Sequence, residues 1–212
     1  MSRTPVHEAL KLLCTEGLVS VIPRVGYVVT EVSVADVQEV FQLRLVNETL
    51  AAELAAERVT PKDIEMFERL QRRVQAEGRS FGKDAASYRR YAIEANREFH
   101  LALAALSGNQ RLIDLVASLL DAGRRTLLMD PMVEGYVYMP SNDHTEVVAA
   151  LAKRDRAAAR DAMARHMREG QRRIVAMLLA GGTSGAMGAP LEDHDRPARA
   201  GRARKKVTAK QR

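Results

Sequence analysis

The sequence predicts an all-α fold, a six- to seven-helix antiparallel bundle, with one short helix and a hairpin ahead of it. Three observations predict it. Aromatic residues make up only 4% of the 212 residues and Trp is absent. Ala, Leu, Arg and Glu recur at helical spacing over most of the length. Helix-start signals, a Ser or Thr cap with an acid three residues on or a proline at the first helical position, punctuate the chain repeatedly.

Thr4-Pro5 is the first such signal, and Val6, Leu10 and Leu13 follow at helical spacing before Glu16-Gly17 supplies a stop. Leu18 to Ile22 and Tyr27 to Thr30 are β-branched, alternating runs around Pro23-Arg24-Val25-Gly26, which reads as a hairpin. One helix and one hairpin are too small to fold alone. After Val32 the pattern turns to long amphipathic helices. Ser33 with Asp36 opens the first, whose inner face carries Val37, Phe41, Arg44, Glu48, Ala51 and Ala55. Thr60-Pro61 with Asp63 opens a second, running to about Glu77 and followed by a Gly-containing break at Gly78 to Gly82. A third covers Ala85 to Leu106 and ends at Ser107-Gly108-Asn109. Three more fit Gln110 to Met129, Ser141 to Lys153 and Asp155 to Leu179. The organisation expected is a small unit at 1–31, a helical bundle at 32–180 and a tail at 181–212.

The chain carries +6 at neutral pH, but residues 196–212 hold eight Lys or Arg and no acid, so the first 195 residues carry −2. The tail follows the Gly/Ser-rich stretch Ala180 to Gly185 and holds too few apolar groups to offset ordering entropy, so it is expected to be a disordered basic extension. Its charge either keeps the protein soluble or attracts phosphates through counterion release. Cys14 is the only cysteine, which excludes an internal disulfide and a Cys-rich zinc site. No run of eighteen apolar residues and no signal-peptide core is present, so a cytoplasmic protein with no membrane partner is expected.

The chemistry resides in histidines. His100, His144 and His166 fall on the apolar stripes of three different predicted helices, and Asn96 stands one turn before the first of them. A buried neutral imidazole needs partners for both ring nitrogens, and a single divalent ion is an economical common ligand for three of them. Three imidazoles suit zinc or nickel and leave positions open for an exchangeable group. Arg44 also lies on an inward stripe and must find an anion there. That anion is either Glu48, four residues on, or a small carboxylate bridging the guanidinium and the metal.

The motifs also carry a family resemblance. Ser2-Arg3-Thr4-Pro5-Val6-His7-Glu8-Ala9-Leu10, Glu16-Gly17-Leu18 and the Pro23 to Gly26 hairpin resemble the second half of a GntR-type winged helix-turn-helix. The bundle resembles the ligand-binding FCD domain of the FadR branch, through Arg44 with Glu48, Asn96-Arg97-Glu98-Phe99-His100, Ser107-Gly108-Asn109, His144 and His166. Together these cover Ser2 to Leu179. The resemblance implies a ligand-responsive transcription regulator, by family frequency a repressor, that works as a homodimer on operator DNA. Its metal site would map onto Asn96, His100, His144 and His166, with Arg44 toward a carboxylate effector. Arg3, Thr4 and His7 on the recognition helix, with Arg24 and Gly26 at the wing tip, would approach DNA. Three departures stand out. Asn96 replaces the usual Asp, which removes an anionic metal ligand. His7 replaces an Arg. The two helices that precede a recognition helix do not precede this one, so the DNA-reading unit is read as N-terminally truncated, with Met1 at a position usually held by Val; an internal GTG start would account for that. Weak sequence-specific DNA binding by the chain as written is then expected, along with a mobile first thirty residues. A bundle that only dimerises or sequesters its effector is one alternative. A metal-dependent enzyme is the other, although Glu94 and Glu98, the nearest acids, are turned away from the His100 stripe by their helical phase.

Overall fold

The computed structural model describes residues 3–78, 85–128 and 143–181. Among them are seven helices and one two-stranded sheet, in two compact units that divide between Glu31 and Val32. The expected basic tail lies outside the described residues, apart from Gly181.

The first unit is α1 (Arg3–Thr15), β1 (Val19–Ile22) and β2 (Gly26–Val29). Pro5 still falls in the first turn of α1, where the amide it lacks has no intrahelical acceptor. Gly17 ends the helix at φ +70°. Its N–H donates to Cys14 O at 3.0 Å and the Leu18 N–H reaches back to Leu13 O at 2.9 Å, a pair of bonds that closes the last turn and aims the chain into β1. The strands pair antiparallel from Val19 opposite Val29 to Ile22 opposite Gly26. Arg24 (φ 66°) and Gly26 (φ 145°) take the positive backbone angles of the connecting turn. Val19 is the buried hydrophobic residue of this unit; Val6, Leu12, Val21 and Val25 are exposed within it.

The second unit is a bundle of six helices: α2 (Val34–Arg58), α3 (Pro61–Gly78), α4 (Ala85–Leu106), α5 (Gln110–Leu128), α6 (Thr145–Ala152) and α7 (Arg156–Gly181). Polar caps set most of its boundaries. Ser33 and Asp36 exchange bonds at the start of α2, with Ser33 N–H donating to Asp36 Oδ2 at 2.8 Å and Asp36 N–H to Ser33 Oγ at 3.1 Å. Thr60 and Asp63 repeat the device before α3. Asn109 Oδ1 accepts from Leu112 N–H at 3.3 Å and Asp155 Oδ1 from Ala158 N–H at 2.9 Å, opening α5 and α7.

Helix α2 is the hub, packing on α4, α5 and α6 and most extensively on α7. Ala52, Ala55 and Ala56 on its inner face are fully buried, and their small size brings the neighbouring backbones close. Phe67, Phe99, Leu103, Leu151 and Met163 fill the remaining space from four other helices. A second cluster joins Ala51 to Ala104, Leu112, Val116 and Leu120. Among the described residues no helix is long and apolar enough to cross a membrane.

The one expected boundary that shifts materially is that of α6. The sequence places His144 inside a helix starting at Ser141, whereas the described helix starts at Thr145 and His144 is the residue that caps it. Its carbonyl takes the first intrahelical bond, from Val148 N–H at 2.9 Å, while its ring makes no capping bond and is left to point elsewhere. Ser141 itself lies outside the described residues.

Candidate metal centre

That ring points into the bundle. His100 from α4, His144 from the start of α6 and His166 from α7 bring one ring nitrogen each within 4.8 Å of one another. Nε2 of His100 faces Nε2 of His144 at 3.4 Å. Two nitrogens bound to one tetrahedral zinc at roughly 2.0–2.1 Å stand about 3.3 Å apart, so this pair already has the spacing of ligation. The ring centroids of His166 lie 4.4 Å from those of His144 and 5.3 Å from those of His100. His100 and His144 are buried at 1% and 2% exposure, and His166 is partly buried. The donor set fits a first-row ion: three imidazole nitrogens converge and open positions remain.

Each ring is held. Phe99 stacks on His144 with centroids 3.6 Å apart and planes 15° from parallel, fixing the face that the imidazole presents. Phe67 packs on Phe99 in turn, at 5.0 Å. Glu48 holds His100: its Oε2 lies in ion-pair contact with His100 Nδ1, while its Oε1 accepts from Arg44 Nε at 2.6 Å. Burial disfavours the ionised carboxyl, but the Arg44 guanidinium and then His100 outweigh it and hold Glu48 down at about 2. Burial above all lowers His166 to about 3, so its imidazole is neutral and ready to donate a lone pair at neutral pH.

Arg44 has several contacts in the bundle. Its guanidinium carbon lies 5.0 Å from the Phe41 ring centroid, and Nη1 is 4.0 Å from where a Cβ on Gly123 of α5 would stand. Its pairing with Glu48 is observed, yet Nη2 is buried without a hydrogen-bond acceptor. Among the described residues, one donor of this buried cation is thus left without an acceptor. Asn96 is half-buried on α4, one turn before His100. His166 also lines a cleft of roughly 430 Å³ that opens to the surface, together with Asp143, Glu146, Arg165, Arg168 and Arg173.

The sequence found the three histidines and the Arg44–Glu48 pair. It missed the contact between Glu48 and His100 and the stacking of Phe99 on His144, both of which join residues on different helices. Glu94 and Glu98 are exposed and engaged with Arg124 and Arg73. The residues expected at DNA stand in the first unit. Arg3 opens α1, Thr4 and His7 are exposed on it, the His7 ring lies 6.3 Å from the Tyr27 ring, and Arg24 and Gly26 form the hairpin turn.

Residues 39–169 match the FCD domain. The chain is 30% identical over 179 residues to the HTH-type transcriptional regulator McbR of Escherichia coli, covering 80% of this chain and 75% of McbR. It is 27% identical over 171 residues to the HTH-type transcriptional repressor RspR of the same organism, covering 80% of this chain and 72% of RspR. The solved structure of E. coli McbR superposes with a TM-score of 0.66 at 24% identity, over 84% of this chain and 87% of that one. A GntR-family transcriptional regulator from Pseudomonas syringae pv. tomato superposes at 0.57, also at 24% identity, over 86% and 73%. These relatives regulate transcription and are not enzymes, so the histidine cluster is read as part of a regulator. The family match over most of the bundle, with the McbR relationship beside it, establishes that the chain belongs to the FCD-domain family of transcriptional regulators.

Proposed function

We propose that the bundle at 32–180 is a metal-dependent sensor of a small carboxylate, and that its occupancy governs DNA binding by the unit at 1–31, as a repressor acting through a homodimer. The observation that carries this reading is the convergence of three imidazole nitrogens from three helices beside a buried guanidinium with one donor unfilled. His100, His144 and His166 would hold zinc or nickel, with Asn96 as the fourth protein ligand; the ion would supply a Lewis-acidic anchor for a carboxylate. Charge explains why the ligand should be an acid. Glu48 is paired with Arg44 and the Asn96 amide carries no charge, so an arriving carboxylate would supply negative charge to a divalent ion. Arg44 Nη2 would meet the same anion.

Arg3, Thr4, His7, Arg24 and Gly26 would face operator DNA, the α1 residues toward bases and phosphates and the hairpin turn toward the backbone or minor groove. The basic tail at 181–212 would add sequence-independent attraction. The repressor assignment is supported by the name of RspR, and ligand control requires that the two DNA-binding arrangements differ in effector affinity.

Elemental analysis with native mass spectrometry of the purified chain tests the reading. One zinc or nickel per subunit, a dimeric mass and tighter metal binding in the presence of a di- or tricarboxylate are expected. A chain that neither retains nor takes up these metals, and shows no thermal shift with a panel of mono-, di- and tricarboxylates, would overturn it.

A further inference from the structure

Glu48 is a fully buried carboxylate whose position a simple ion pair with Arg44 does not explain. A buried pair of this kind adds little net stability over an apolar pair of the same volume. Its oxygens face two partners: Oε1 accepts from Arg44 Nε and Oε2 lies against His100 Nδ1. An ionised carboxylate can only accept, and a neutral imidazole carries a single N–H. The proton between Oε2 and the ring therefore belongs on Nδ1. With the ring neutral, Nε2 of His100 is bare, and that is the atom facing His144 Nε2 at 3.4 Å.

We infer that Glu48 is a positioning residue of the metal centre: it locks His100 in the Nδ1–H tautomer and presents Nε2 to the point shared with His144 and His166, while Arg44 keeps the carboxylate aimed. A histidine ligand whose other nitrogen donates to a carboxylate has its orientation fixed and its basicity raised. The pair on α2 thus prepares the α4 ligand before any ion arrives. Arg44 serves two ends, with Nε orienting Glu48 and Nη2 left for an anion. The purpose of this arrangement rests on the metal reading; the tautomer does not.

Two measurements test it. Long-range 1H–15N correlation spectra of the metal-free full chain, labelled at histidine, should show His100 with Nδ1 protonated and Nε2 bare; the reverse pattern overturns the inference without reference to metal. In the second, Co(II) and Zn(II) titrations of Glu48→Gln should show affinity reduced by about 10–100-fold with helical content unchanged. Wild-type affinity in that variant overturns the inference. Should Glu48→Gln fail to fold because Arg44 is left unpaired, Arg44→Met combined with Glu48→Leu removes both charges together and should show the same loss, with wild-type affinity again decisive against it. A wild-type chain that binds neither ion sinks the metal reading instead, and the tautomer pattern still decides the role of Glu48.

Discussion

Protonation at buried Glu48 and partly buried His166 sets how the metal-free protein responds to acid. Glu48 is held at about 2 against an ordinary 4.5, and His166 at about 3 against 6.5. Over these intervals the unfolded chain takes up protons that the folded chain refuses, so acidification favours unfolding. The His166 share of stability is lost as pH falls from 6.5 towards 3, and the Glu48 share from 4.5 towards 2. Urea midpoints should therefore decline steadily below pH 6.5, and His166→Gln should flatten the part of that decline above 4.5. A wild-type midpoint that stays level from neutrality down to 4.5 contradicts the assignment. Asn96 gives the complementary prediction. Asn96→Asp adds an anionic oxygen one turn from His100, and should raise zinc affinity by about tenfold or more while making it less dependent on added carboxylate. Isothermal titration with and without citrate measures both.

Among the elements, the helix caps carry stability that packing does not replace. Ser33→Ala removes one half of the reciprocal pair with Asp36 and should cost about 1 kcal/mol in urea unfolding, with metal affinity unchanged. Gly123 offers the opposite test. It lies inside α5, and a Cβ there would meet Val40 and Arg44 at ordinary contact distances of 3.9 and 4.0 Å. Gly123→Ala should stabilise the helix by roughly 0.5–1 kcal/mol, read as a raised Tm. The caps also explain how much of the fold could be read from the sequence. Ser33, Thr60 and Ser107-Gly108-Asn109 mark their boundaries by local chemistry, and α2, α3 and α4 begin or end where those residues say. Helix α6 follows Ser141, Asn142 and Asp143, all cap-type residues. The one that accepts from its first amide is Asp143, with Thr145 N–H donating to Oδ1 at 3.1 Å, so a start at Ser141 lies too early. His144 still faces inward, because a residue one turn ahead of Val148 keeps the helical phase even as a cap. Glu48 was legible only as the neighbour of Arg44, since spacing along one helix reveals nothing of a partner on another.

At the level of the whole molecule, α2 and α7, which begin and end the bundle, are each other's most extensive neighbours. Phe41 of α2 sits against Gly170 of α7, where a Cβ would come within 3.3 Å of the ring, and Ile174 and Met177 close over Val37. The helix made first in the bundle thus has to wait for the one made last, and contacts that span so much chain slow folding. During synthesis the part of α2 that packs on α7 stays uncovered until residues beyond Arg156 have left the ribosome, so the bundle should acquire its native state only after translation is essentially complete. Stalled nascent chains ending before Arg156 should be digested rapidly by protease, and those ending past Gly181 with enough linker to clear the tunnel should resist. Equal resistance of both would show that the earlier helices can close a core among themselves.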